Sequence, residues 1–134
     1  MDRQAQIEFI LDHYEHPRNH GKLDDADVVS DGGNPGCGDI VTIYLKVDDQ
    51  QRIEQVTFEG QGCTISQAAA SLVTEMVTGL PLTEVLDLSY DAIIDELGRE
   101  VVMSRPRCAT LALGTVKAAA DSYQKGERTA KLEV

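Results

Sequence analysis

The amino-acid sequence predicts an α+β fold, a small antiparallel sheet of about three strands packed against several helices. Three observations carry that expectation. Near the start, Ile7, Ile10, Leu11 and Tyr14 recur at the i, i+3, i+4, i+7 spacing of one helical face. Between residues 40 and 59 the period drops to two, and from residue 66 onward it returns to that of helices. The 134 residues suit one domain, 1–134, with a core of its own, and no repeat, low-complexity tract or linker divides them.

The first helix should bury the Ile7–Tyr14 stripe and end at Pro17, which has no N–H to give to a helix interior. His16 and His20 are four apart, as in a helical metal pair, but Pro17 between them forbids that helix, so this segment reads as a polar exit. Val28 and Val29 offer a short third strand. Asp31–Asp39 has four glycines and a proline in nine residues and reads as a shaped loop. Val41, Ile43, Leu45 and Val47 then alternate with Thr42, Tyr44 and Lys46. After the polar link at 48–51, Glu54, Val56 and Phe58 alternate with Gln55, Thr57 and Glu59. That pair is an antiparallel hairpin with one wet face.

Gly60–Cys63 forms a second tight turn, and Ser66 is the candidate N-cap of a helix through Ala68–Val77 that Gly79 closes. Short helices follow at 82–88 and 91–97, the latter stopped by Gly98. The last helix runs from about Arg107 to Tyr123, with Cys108, Leu111, Ala112, Thr115 and Ala119 at helical spacing and Lys125-Gly126 as its close.

Composition removes several classes of function. A net charge of −11 repels phosphate backbones and anionic lipid, and 4% aromatics without Trp supply no stacking platform for single-stranded nucleic acid. No apolar run approaches the length of a membrane span, and Met1–Gln6 lacks the basic start and apolar stretch of a signal peptide. The expected partners therefore include no nucleic acid and no membrane, and the expected location is cytoplasmic. Three cysteines cannot all pair internally, and in a reducing compartment they read as thiols available for metal binding, sulfur chemistry or burial.

Cys37, Cys63 and Cys108 lie 26 and 45 residues apart, so their spacing alone says little. Their settings say more. Cys37 and Cys63 sit in glycine-rich turns where backbone can approach a ligand, whereas the start of a helix at Cys108 is also compatible with plain packing. A helix N-terminus and neighbouring arginines favour thiolate, and Arg105 and Arg107 flank Cys108. Asp39, two residues after Cys37, can place its carboxylate on the same side as that thiol. Three thiolates and one carboxylate suit tetrahedral zinc or an iron–sulfur cluster with one oxygen ligand, the oxygen making the site easier to open.

Gly33-Asn34-Pro35-Gly36-Cys37-Gly38-Asp39, Gly60-Gln61-Gly62-Cys63-Thr64-Ile65-Ser66 and Arg105-Pro106-Arg107-Cys108-Ala109-Thr110-Leu111 resemble the three signature segments of the IscU/SufU/NifU N-terminal family. Asp12-His13-Tyr14-Glu15-His16-Pro17-Arg18-Asn19-His20-Gly21 is similar to its entry segment. Together the four segments cover nearly the whole chain in the family's order. The resemblance implies a small α+β protein working with a cysteine desulfurase, either as a scaffold passing a transient cluster, 2Fe–2S in type, to apo iron–sulfur acceptors, or as a zinc-dependent sulfur acceptor. It carries ligand and sulfur-acceptor roles onto Cys37, Asp39, Cys63 and Cys108. Cys108 is the first choice as acceptor, since Arg105 and Arg107 favour its thiolate and can steer an anionic donor; their other reading is as cover for an acidic surface.

Two departures limit the carry-over. IscU-type members have a histidine before the last cysteine, within a Leu-Pro-Pro-Val-Lys-type segment gripped by a dedicated chaperone. Here Arg107 and Val101-Val102-Met103-Ser104-Arg105-Pro106 stand instead, so neither the histidine ligand nor the chaperone has its matching residues. The Arg-x-basic-Cys-Ala-Thr-Leu pattern is similar to the SufU branch, yet the insertion of that branch before the last cysteine is missing. Cluster scaffold and zinc-dependent sulfur transfer both remain open; a purely structural zinc module fits less well, because such sites are closed by four Cys or His ligands.

Overall fold

The computed structural model describes residues 2–36 and 38–133, so Cys37 lies outside the described residues. Its frame is the expected hairpin. Strands β2 (Asp39–Val47) and β3 (Ile53–Gln61) pair antiparallel with Ile43 opposite Phe58 and Leu45 opposite Val56. Those four side chains point to one face and are fully buried, each contributing about 2 kcal/mol from removal of apolar surface from water. A bulge between Lys46 and Val47 sets Ile53 opposite Val47. The alternation thus breaks at Glu54, which stays exposed while Ile53 enters the core.

Strand β1 (Val28–Asn34) extends through what reads in the sequence as loop, and it pairs antiparallel with β2 from Val28–Leu45 to Asn34–Asp39. Of the described residues between the strands, Pro35, Gly36 and Gly38 turn, with Gly38 N–H donating to the Asn34 carbonyl and Gly38 at φ +74°. Gly32 is a strand residue whose missing side chain makes room for a helix: a Cβ there would lie 2.0 Å from Thr115 Oγ1. A fourth strand, β4 (Thr129–Glu133), joins parallel to β1, so the sheet is mixed, in the order β3-β2-β1-β4. Nothing in Thr129–Glu133 alternates strongly enough to announce it.

The helices are α1 (Arg3–Glu15), α2 (Thr64–Val77), α3 (Leu82–Asp87), α4 (Tyr90–Leu97), α5 (Arg99–Val102) and α6 (Pro106–Gln124). Leu111, Leu113 and Val116 of α6 and Ala69 and Val73 of α2 belong to the same buried cluster as Ile43 and Phe58. The four-residue α5 has no counterpart in the sequence reading. The buried stripe of α1 is rotated from the expected one: Ile10 and His13 are buried, while Leu11 and Tyr14 are 41% and 44% exposed. The ring of His13 is what turns it. Its Nδ1 lies 2.8 Å from Ser71 Oγ on α2, and that oxygen also accepts the Arg18 N–H at 2.8 Å. His20 packs edge-on against Phe58, and among the described residues no histidine joins a metal-competent cluster. No described helix is long and apolar enough to cross a membrane.

Candidate metal centre

Three elements converge at one end of the sheet. Asp39 is the first residue of β2, Cys63 the N-cap of α2, and Cys108 the third residue of α6. Ser66 is therefore not the cap: the helix starts three residues earlier than its hydroxyl suggests, and Cys63 Sγ accepts the Ser66 N–H at 3.5 Å. One ligand atom from each of Asp39, Cys63 and Cys108 lies within 4.8 Å of the other two. Asp39 and Cys108 are each 1% exposed, and Cys63 is half-buried at the rim. Both long helices aim their N-terminal N–H groups at this corner, which favours anionic sulfur and oxygen there.

The carboxylate is held asymmetrically. Asp39 Oδ1 accepts the Cys63 N–H at 2.9 Å and has Ser66 Oγ 3.3 Å away. Asp39 Oδ2 is buried with no hydrogen-bond partner. Burying a carboxylate oxygen unpaired is costly, so an orphan of this kind on a carboxylate grouped with two thiols suits a cation. Gly62 makes the arrangement possible: its φ is +149°, and a Cβ on it would lie 2.2 Å from Asp39 Oδ1 and 2.8 Å from Ser66 Oγ. Two thiols and a carboxylate oxygen are a donor set that zinc and iron both accept.

Of the two arginines flanking Cys108, Arg105 reaches the sulfurs. Its guanidinium faces the thiols of Cys63 and Cys108, and their pull, that of Cys63 first, raises its pKa above the ordinary arginine value. Arg107 is exposed and lines, with Arg105, Asn34 and Gly36, an open cleft over Cys108. Of the expected site residues, Asp39, Cys63, Cys108 and Arg105 thus come together, Arg107 stands at the mouth, and Cys37 falls at an undescribed position between Gly36 and Gly38. Ser66 and Gly62 are site residues that the sequence reading missed. The spacing Gly62-Cys63-x-x-Ser66 was the available signal, because a Ser three residues into a helix shares the turn that its N-cap occupies.

Known proteins share both sequence and fold with this chain. The family model for the NifU-like N-terminal domain matches residues 5–130. The iron-sulfur cluster assembly scaffold protein IscU of Escherichia coli K12 is 40% identical over 130 residues, 95% of this chain and 99% of that one. An IscU of the same description from Archaeoglobus fulgidus is 38% identical over 125 residues, 92% of this chain and 80% of the relative. Among solved structures, a candidate cluster assembly scaffold for the SUF system of Fervidobacterium islandicum AW-1 superposes with a TM-score of 0.74 at 29% identity, covering 84% of this chain and 94% of that one. With matches running from α1 to β4 and through the three segments that meet at the candidate metal centre, the chain belongs to the NifU-like N-terminal domain family.

Proposed function

We propose that this chain, as one domain, is an iron–sulfur cluster assembly scaffold of the cytoplasm. It accepts sulfur from a cysteine desulfurase, builds a transient 2Fe–2S cluster on Cys37, Asp39, Cys63 and Cys108, and passes it to apo acceptor proteins. The observation that carries this reading is the Asp39 carboxylate, with its unpartnered, buried Oδ2, grouped with the thiols of Cys63 and Cys108. The names of the Escherichia and Archaeoglobus relatives support it. Cys108 is the sulfur acceptor in this scheme: its thiolate attacks the outer sulfur of the donor persulfide, a new S–S bond forms, and the donor cysteine leaves as thiolate. Arg105 and Arg107 favour that thiolate and draw in the anionic donor.

A second reading, zinc-dependent sulfur transfer, is favoured by one feature: Arg107, not a nitrogen ligand, precedes Cys108. Zinc on the same four residues would fix the loops and yield one thiolate to incoming sulfur. The two readings separate in one experiment. The scaffold predicts that anaerobic reconstitution with iron, desulfurase and cysteine gives a visible-absorbing cluster that moves to an apo ferredoxin, and that Cys63→Ser and Cys108→Ser each abolish it. A zinc-loaded chain that strongly accelerates the desulfurase, with no cluster transferred on reconstitution, refutes the scaffold.

A further inference from the structure

Resting on that reading of the site, we infer that Asp39 offers a metal only one of its two oxygens, and that Ser66 is the positioning residue that keeps it so. The two oxygens differ in their hydrogen bonds. Oδ1 is committed to the first turn of α2, where it takes the Cys63 N–H at 2.9 Å and lies 3.3 Å from Ser66 Oγ. Space on that side is closed, since even a methyl group on Gly62 would overlap Oδ1. Oδ2 is buried and unpartnered, on a carboxylate that groups with the two sulfurs.

Ser66 is suited to hold this arrangement. It is buried, and its hydroxyl has the Cys63 carbonyl at 3.0 Å as a second acceptor, which anchors the oxygen while leaving it within reach of Asp39. Gln67 Nε2 donates to the same oxygen at 3.3 Å and orients it further. Through its own N–H Ser66 also touches Cys63 Sγ, so this one residue contacts both the carboxylate and a sulfur of the donor set. A carboxylate fixed by groups behind it enters a metal site already ordered, and loss of such a supporting group characteristically weakens metal binding by about tenfold or more. Ligand presentation through a single oxygen also leaves one metal–oxygen bond to break, in keeping with a cargo that must leave.

Cobalt(II) alone is the probe, because its d–d absorption reports ligand geometry independently of cluster assembly. In the metal-free chain Ser66→Ala should fold, as judged by circular dichroism, since alanine removes one buried oxygen without adding volume. On titration it should bind cobalt about tenfold more weakly than the unsubstituted chain, with a shifted d–d band because the carboxylate is free to turn. Ser66→Thr, which keeps the hydroxyl, should restore both affinity and band. A cobalt affinity and spectrum in Ser66→Ala equal to those of the unsubstituted chain would overturn the inference, as would a defect that Ser66→Thr leaves unrepaired. Absence of a sulfur-to-cobalt charge-transfer band in the unsubstituted chain would instead overturn the functional reading, and this inference with it.

Discussion

Replacing Gly32 by alanine tests how the sheet and α6 jointly fix the metal centre. Gly32 sits mid-strand in β1, opposite Val41, where its backbone needs no special conformation, so the effect of a methyl group there is steric. The added Cβ would lie 2.0 Å from Thr115 Oγ1, where ordinary contact begins at 3.4 Å. The gap must open by about 1.4 Å, and Thr115 cannot swing away cheaply, because its hydroxyl donates to the Leu111 carbonyl at 2.8 Å inside a buried helix face. Overpacking of this size costs about 3 kcal/mol. For a chain of 134 residues that lowers the midpoint of thermal unfolding by roughly 10 °C and leaves a folded protein. Differential scanning calorimetry of the metal-free chain reads it directly. Thr115→Ala removes the clashing atom, so Gly32→Ala in that background should cost about 1 kcal/mol or less, a non-additivity that only neighbouring sites show. A Gly32→Ala midpoint within a degree of the parent, or an equal cost with and without Thr115, would refute the packing argument.

Two further predictions concern titration and sulfur chemistry. Burial, with the Arg18 charge as a lesser cause, holds the His13 pKa below the ordinary 6.5, against weaker opposing pulls from Glu75 and Asp12. The unfolded chain then binds the proton more readily than the folded one, so stability is full above about pH 6.5 and declines as pH falls from there toward the lowered folded value. Urea midpoints at pH 8 and pH 5 should show the decline, and His13→Gln should remove most of it between pH 7 and 5.5. Arg105→Ala takes the cation away from the two thiols. Its guanidinium is solvent-exposed, so the effect is a modest one, with persulfide transfer measured by mass spectrometry slowed about three- to fivefold; an unchanged rate would show that Arg105 serves only the surface.

Periodicity made some of this fold legible and hid the rest for identifiable reasons. The β2–β3 hairpin and the α2 and α6 helices are written in alternations that burial enforces directly, and they were read within a few residues of their ends. Strand β1 was obscured because Gly32, which looks like a turn former, is small for the sake of Thr115. Only tertiary contact can reveal that. The α1 stripe departs from its apolar spacing because a buried histidine stands on the inward face, and the Ser71 hydroxyl that makes its burial tolerable lies 58 positions away. At the candidate metal centre the motifs point to Asp39, Cys63 and Cys108, which the fold brings together. Their support is not legible in the sequence, since Ser66 looks like any helix cap until the helix is seen to start at Thr64.

The parallel pairing of β4 with β1 has a consequence for how the molecule is made. Val29 lies opposite Thr129, a hundred residues later, so this ladder closes a far longer loop than the β2–β3 hairpin and carries the larger entropic cost of closure. During synthesis from the N-terminus, Asp39 and Cys63 can meet as soon as the hairpin and the first turn of α2 have emerged, while Cys108 must await α6. The edge of β1, whose far end leads into the turn before Asp39, is sealed last of all. In a nascent chain Asp39 and Cys63 therefore come together well before Cys108 joins them, and before β1 gains β4 as its second neighbour.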